Sequence, residues 1–425
     1  MSEAKKRCKY KDEITGWLCP YEVLEDSKDD FCIFHDRRKD KDIEKFNRGI
    51  TKILEDTETD AYHFEGFFFS SSVSFSGFIF ERDTHFENAV FCGEKTDFHE
   101  AEFSGKLTAF TKAEFLGKIT DFTFAKFSGK TCTFADTKFR SESTLFVFTR
   151  FSRGHCSFFQ TEFASTRTKF WLTQFSGEGT HFEKIKCTKR IEFASISYMR
   201  NAIFSEVDLR KCVFEDVNLK DVEFSLLDWG WQHQLVNELD PNWMTERKEP
   251  KRSELFSKTS EIYRQLKVHF HKKRDFAKAG MFHFREQECK RKACRWPKDL
   301  LKWAFLRFLK WSCGYGEKLS RVLTSSVQLI LAFAIVYMWW FGLYEDGALA
   351  FRYKISFNNT APITTIVQDF LTSVSFSAKG FFPLWRFQQY KVVGDFANLV
   401  AGVEFLLGAF MVGLFIYVFR RRMEK

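Results

Sequence analysis

Proline is nearly missing: the 425-residue chain has 6, and none lies between Tyr21 and Asp240. A stretch that long without proline can donate every backbone amide, which suits a fold of continuous hydrogen-bonded ladders. An acidic surplus is missing too. The formal net charge is +9, which argues against an acid-coated mimic of DNA, and no nucleic-acid partner is expected. Residues Met1 to Glu13 are charged throughout with no apolar run after them, so a signal peptide is not expected and the amino-terminal part should stay cytosolic. A disulfide framework is absent as well, because the 11 cysteines are scattered irregularly, as reduced thiols are. No nucleophile beside a base, phosphate loop or pair of acids stands out, so the chain does not read as an enzyme.

What the chain has in excess is phenylalanine, 55 residues of it. From Phe86 through Phe91, Phe98, Phe103, Phe110 and Phe115 to Phe182 the gaps alternate between five and seven, a period of twelve. Two positions before each stands a small residue, such as Thr96, Ala101, Thr108, Ala113, Cys132 or Cys156. Side chains two apart on an extended chain share a face, so both point inward, and the buried cysteines, with Cys212, read as core thiols. Beyond Ile191 the spacing tightens to five in Phe204, Leu209, Phe214, Leu219, Phe224 and Trp229. Five fits neither an amphipathic helix nor a hairpin strand.

This register resembles the pentapeptide-repeat family, closely over 86–229 and loosely over 64–85. The resemblance implies a right-handed quadrilateral β-helix over 64–230. The interleaved sevens depart from the family's spacing and read as longer corners with polar "SGK"-like residues; the coil size is not set by the sequence. The repeats carry Lys95, Lys106, Lys112, Lys118, Lys126 and Lys130, and a ligand or protein partner on the solenoid is expected.

Ahead of the repeats, within residues 1–50, Cys8, Cys19, Cys32 and His35 are spaced C-x10-C-x12-C-x2-H. Three thiolates and an imidazole suit tetrahedral zinc in a structural role, with unrelated buried cysteines as the alternative. Pro241 and Pro250 bracket a charged linker, after which 253–312 reads as a helical connector. Its segment 261–288 is similar to a helical hairpin that follows pentapeptide repeats in membrane-anchored relatives, and His269, His271 and His283 on it carry no assigned role. The stretch "PKDLLKWAFLRFLKWSC" from Pro297 gathers Leu301, Phe305, Phe308 and Leu309 on one side, with Trp303 and Trp311 as anchors. It reads as a helix on a bilayer surface or, alternatively, as a packing helix.

Two apolar runs, about Val322–Leu343 and Phe396–Phe419, are long enough to span a membrane. Lys318 and Arg321 precede the first, and Arg420 to Arg422 follow the second, so both termini should be cytoplasmic on a multi-pass protein of the plasma membrane. Between the runs, "TTIVQDFLTSVSFSAKGFFPLW" has the order of a pore helix and a re-entrant loop. Residues 320–425 resemble the two-transmembrane potassium-channel-like family, with Ser373, Ser375, Phe376, Ser377, Gly380 and Phe381 matching its filter stretch. Glu404 and Gly408 match the inner helix of its prokaryotic members.

The resemblance implies a homotetrameric pore lined through Ser373, Ser375, Ser377, Ala378, Lys379, Gly380 and Phe381. The filter is degenerate, since Phe382, Lys379 and Pro383 replace a glycine, a small residue and an acid; potassium selectivity should be weak and the permeant ion is unknown. The expectation is that Glu404 pairs with Lys379 behind the filter, or else is snorkelling or protonated. Gly402, Gly408 and Gly413 read as packing notches or a hinge. The Gly314-Tyr315-Gly316 triplet, although filter-like in letters, precedes the first span and reads as a turn. The functional expectation is an ion-channel subunit with a cytosolic sensor, the alternative a non-conducting membrane-anchored scaffold.

Overall fold

The computed structural model describes residues 6–199, 201–229, 234–239, 252–341, 343–345, 348–349, 363–382, 392 and 394–423; the linker from Pro241 to Pro250 and Pro383 lie outside them. The chain divides into two compact units, Met1–His269 and Phe270–Lys425.

The first unit is a parallel β-solenoid of about 7 turns. Its strands form four parallel stacks of eight, six, seven and five; through most of the solenoid each strand pairs with the fourth strand before it and the fourth after, and the interval shortens to three or two in the last coils. The register sets the coil length. Thr84, Thr108, Cys132, Cys156 and Thr180 lie opposite one another in succession, 24 residues per turn. Ala61 faces Asp83 and Thr180 faces Ala202, 22 residues apart, and Phe204 faces Phe224, 20 apart. A turn is therefore two sequence periods of twelve, and it shrinks to four fives once the long corners are lost.

Stacking follows from that register. Phe64, Phe86, Phe110, Phe134, Phe158, Phe182, Phe204 and Phe224 make one column of face-to-face rings, with centroids 4.7–5.6 Å apart. Three further columns run through Phe91, Phe98 and Phe103, and neighbouring columns meet edge to face, as at Phe98 and Phe110, 5.6 Å. Each ring is nearly or wholly buried, worth about 1.5–3 kcal/mol apiece. The small positions earn their hydroxyls: Thr137, Thr149, Thr161 and Thr173 each donate to the carbonyl of a phenylalanine in the coil before, at 2.6–2.8 Å.

The two kinds of corner are built differently. In the five-residue corners one residue, every twelfth from Asn88 through Lys112 and Phe124 to Lys184, takes a left-handed conformation with φ of 53–60°. Seven-residue corners press against the previous coil; a Cβ on Gly117 would overlap the Gly93 carbonyl oxygen. Charge is matched between coils, with Lys118, Lys126 and Lys138 reaching Glu94, Glu102 and Glu114 at 2.6–3.0 Å.

Both ends of the solenoid are covered, as an exposed ladder must be. At the start, the Phe34 carbonyl accepts from the Phe68 amide at 2.8 Å. Helix α1 (Ile43–Glu55), capped by Asp42, lays Phe46, Ile50 and Ile53 inward, with Phe46 against Phe69. Buried Lys41 donates to the carbonyls of Ile33, Asp36 and Phe68, and burial pulls its pKa down to about 8. At the far end Asn237, on the short helix α2 (Val236–Leu239), bonds both the amide and the carbonyl of Phe214 as a further strand would. Gln265 of helix α3 (Arg252–Lys272) does the same for Leu219 and Val217.

The second unit is helical: α4 (Phe276–Ala293), α5 (Leu300–Cys313), α6 (Leu319–Val336), α7 (Ile363–Phe381) and α8 (Asp395–Met423). Two helices, Leu319–Trp340 and Asp395–Met423, are long and apolar enough to cross a membrane. Along α6, Leu323, Val327, Leu331 and Ile335 form an exposed stripe at four-residue spacing.

Candidate metal centre and helix junction

Antiparallel bridges Arg7↔Glu22 and Lys11↔Leu18 fold the first residues into a small ribbon that carries Cys8 and Cys19. A turn that follows brings Cys32 and His35 to them, and all four side chains are buried. Cys19 Sγ is 3.7 Å from Cys32 Sγ, and His35 Nδ1 lies 3.6 Å from Cys8 Sγ and 3.2 Å from Cys32 Sγ. Tetrahedral bonds of about 2.3 Å to sulfur and about 2.0 Å to nitrogen give sulfur–sulfur edges near ~3.8 Å and sulfur–nitrogen edges near ~3.5 Å. These three edges are close to those values and all four ligand atoms lie within 4.8 Å of one another, so the cluster could hold a metal ion.

The surroundings prepare the donors. His35 Nε2–H donates to the Glu65 carbonyl at 2.8 Å, which leaves the Nδ1 lone pair aimed at the sulfurs. Tyr10 stacks on the His35 ring at 3.9 Å and fixes its plane. Hydrogen bonds from Cys19 and Cys32 hold the Cys8 thiol far below its usual range, while the bond to Cys32 and burial hold Cys19 far above. Without a cation one thiolate is stabilised at the expense of its neighbours; a divalent ion lets all three ionise.

The filter residues behave differently from the sequence expectation. Ser373, Ser375, Ser377, Ala378, Lys379, Gly380 and Phe381 all fall inside α7, whose helix runs unbroken to Phe381. Helical carbonyls point along the axis to their own amides, so this segment is not an extended row of ion-facing carbonyls. Ser373 and Ser377 are buried and Ser375 is exposed. The Ser373 hydroxyl donates back to the Asp369 carbonyl at 3.0 Å, and Ser377 Oγ lies 2.9 Å from the Ile330 carbonyl oxygen of α6.

Glu404 does not meet Lys379. The buried Glu404 carboxylate accepts instead from Tyr337 Oη at 2.6 Å and from the Ser377 hydroxyl, so one acid links the end of α6 to α7 and α8. Hydroxyls fit there because they satisfy the carboxylate without a second buried charge. Tyr337 lies at the start of a π-helical turn, Tyr337–Phe341, and was not singled out by sequence reasoning; a tyrosine inside an apolar run is the signal that could have found it. One step away, a Cβ on Gly408 would overlap the Phe381 carbonyl, so this glycine is a packing notch for the end of α7. At the other end of the pair, Arg421 of α8 meets Glu317 just before α6 at 2.6 Å, so α6 and α8 run antiparallel.

The Gly-Tyr-Gly triplet is a turn. Gly314 caps α5 in the left-handed region (φ 56°), and the Tyr315 hydroxyl donates to Glu288 of α4 at 3.1 Å. Glu288 also takes Arg291 at 2.5 Å and Lys310 at 2.9 Å; although burial would raise its pKa, these partners hold it at about 2. Comparison with protein-family models, curated proteins and solved structures returns no match.

Proposed function

We propose that this chain is a subunit of an ion-conducting membrane assembly, with a pentapeptide-type solenoid, four-sided and right-handed, as its cytosolic sensing arm. The observation that carries the reading is α7, a helix that packs on both membrane-length helices and is fastened to them by Glu404, Ser377 and the Gly408 notch. A third helix packed between two membrane-length helices is the order that a pore element between two spans requires. Four copies would close the path, with the exposed flanks of α6 and α8 against lipid or neighbouring subunits. The basic ends at Lys318, Arg321 and Arg420–Arg422 favour cytoplasmic termini on a plasma-membrane protein. Exposed Leu301 and Phe305 with Trp303 and Trp311 fit α5 to the bilayer surface.

At the amino terminus the Cys8, Cys19, Cys32 and His35 site would hold zinc, which fastens the cap rather than doing chemistry. The solenoid offers a partner surface along one corner, a shallow groove of about 600 Å3 lined by Lys106, Lys130 and Arg153, with the single acid Glu178, between serines and glycines. A protein or ligand bearing acidic groups would suit it.

The helical state of Ser373–Phe381 favours a second reading, a membrane-anchored scaffold that binds its partner through the solenoid and does not conduct. Planar-bilayer recording on the purified chain under potassium, sodium and chloride gradients separates the two. Unitary currents with weak potassium preference are expected; a correctly assembled protein that stays silent leaves the scaffold.

A further inference from the structure

The tripeptide His-Phe-Glu occurs at His63–Glu65, His85–Glu87 and His181–Glu183. The first two copies are 22 residues apart, and the first coil has that length, with His63 paired to His85 across the ladder. Their rings stack at 5.4 Å and the two glutamates follow side by side. Each histidine Nδ1 meets only its own glutamate Oε1, at 2.9 Å for His63 and 3.1 Å for His85.

The other oxygens are stranded. Glu65 is 0% exposed and Glu87 3%, and Oε2 of each is buried with no hydrogen-bond partner. Two adjacent buried carboxylates cost several kcal/mol each unless something neutralises them. The third copy is the internal control: Glu183 pairs with His181 at 3.2 Å but is 33% exposed, and its ladder partner in the next coil is Ser205 rather than a second acid, so its carboxylate is open to solvent.

We propose that Glu65, Glu87 and His85 form a second metal site, for a divalent first-row transition cation such as zinc or manganese, separate from the cysteine cluster. The ligand atoms lie within 4.8 Å of one another. Bonds of about 2.1 Å reach at most ~4.2 Å across an ion, so the carboxylates draw in by about half an ångström on loading. Two carboxylates with one imidazole suit a harder ion than three thiolates do, and part-exposed His63 and His85 leave a path for entry. Trp17, stacked on His63 at 5.0 Å, and the hydrogen bond from Asn88 to Asp12 at 2.8 Å tie the amino-terminal ribbon over this site, so the ion would fasten the cap to the first coils.

Cobalt titration of the full-length, metal-depleted protein tests this. Two equivalents should bind, and one of them should add weak ligand-field absorption with no thiolate charge-transfer band. The Glu65→Gln/Glu87→Gln double variant should lose that equivalent and keep the thiolate band, and Glu183→Gln should keep both. Binding of a cobalt without any thiolate band would uphold this site and sink the cysteine one. A wild-type protein that takes up only the thiolate-bound ion, or a double variant that still takes up two, overturns the proposal.

Discussion

The solenoid and the helical unit bury acids and hydroxyls in opposite ways. In the solenoid, each residue's neighbour is fixed by the coil length: Thr149 finds the Phe122 carbonyl and Phe134 finds Phe110 and Phe158 because all obey one period. In the helical unit, Glu404 finds Tyr337 and Ser377, which stand 67 and 27 residues away with no period between them. A repeated fold thus writes its contacts into the spacing of the chain. A helical assembly leaves them to packing, where one buried acid can select its partners from several candidates.

That contrast can be broken at several points. The largest effect should come from the cap, where no repeat supplies redundancy: structural metal binding is worth about 10 kcal/mol or more. Cys32→Ser, or stripping with a chelator, should expose residues 6–60 to protease while the coils from Glu114 to Phe163 stay protected, as limited proteolysis with mass spectrometry would read. Inside the repeats, Phe134→Ala removes a ring stacked on both sides and should cost about 3–5 kcal/mol, seen as a lower urea midpoint.

In the helical unit, Glu288→Gln should cost on the order of 1–2 kcal/mol at neutral pH. The Glu288 pKa is lowered on folding from 4.5 to about 2, so the wild-type advantage is full above about pH 4.5 and vanishes as pH falls towards 2. Paired thermal melts in detergent across that range would show the gap closing. Smallest of all, Lys112→Gly relieves a left-handed backbone (φ 58°) and should stabilise by about 0.5 kcal/mol, measurable as a small rise in midpoint.

Much of the solenoid was legible because the inward positions repeat: the phenylalanines and the small residues two before them fall in the columns that their spacing implies. Coil length was not, since five and seven fit several closures until the register joins residues 24 apart. The cysteine cluster was legible from ligand types, but Glu65 and Glu87 were not, because their meaning appears only when the first coil proves to match their separation. Glu404 was marked by its cost in an apolar helix, yet its partners were misread: Lys379 offered the opposite charge, while two hydroxyls offered a better fit.

The clamp on α7 is tested most directly by hydrogen exchange of the full-length protein in nanodiscs, following the amides of 366–381 in wild type and Glu404→Ala. With α7 held between α6 and α8, these amides should exchange as slowly as those of the two long helices and accelerate in the variant. Exchange in wild type as fast as an open surface segment, or no change on removing the acid, would contradict it.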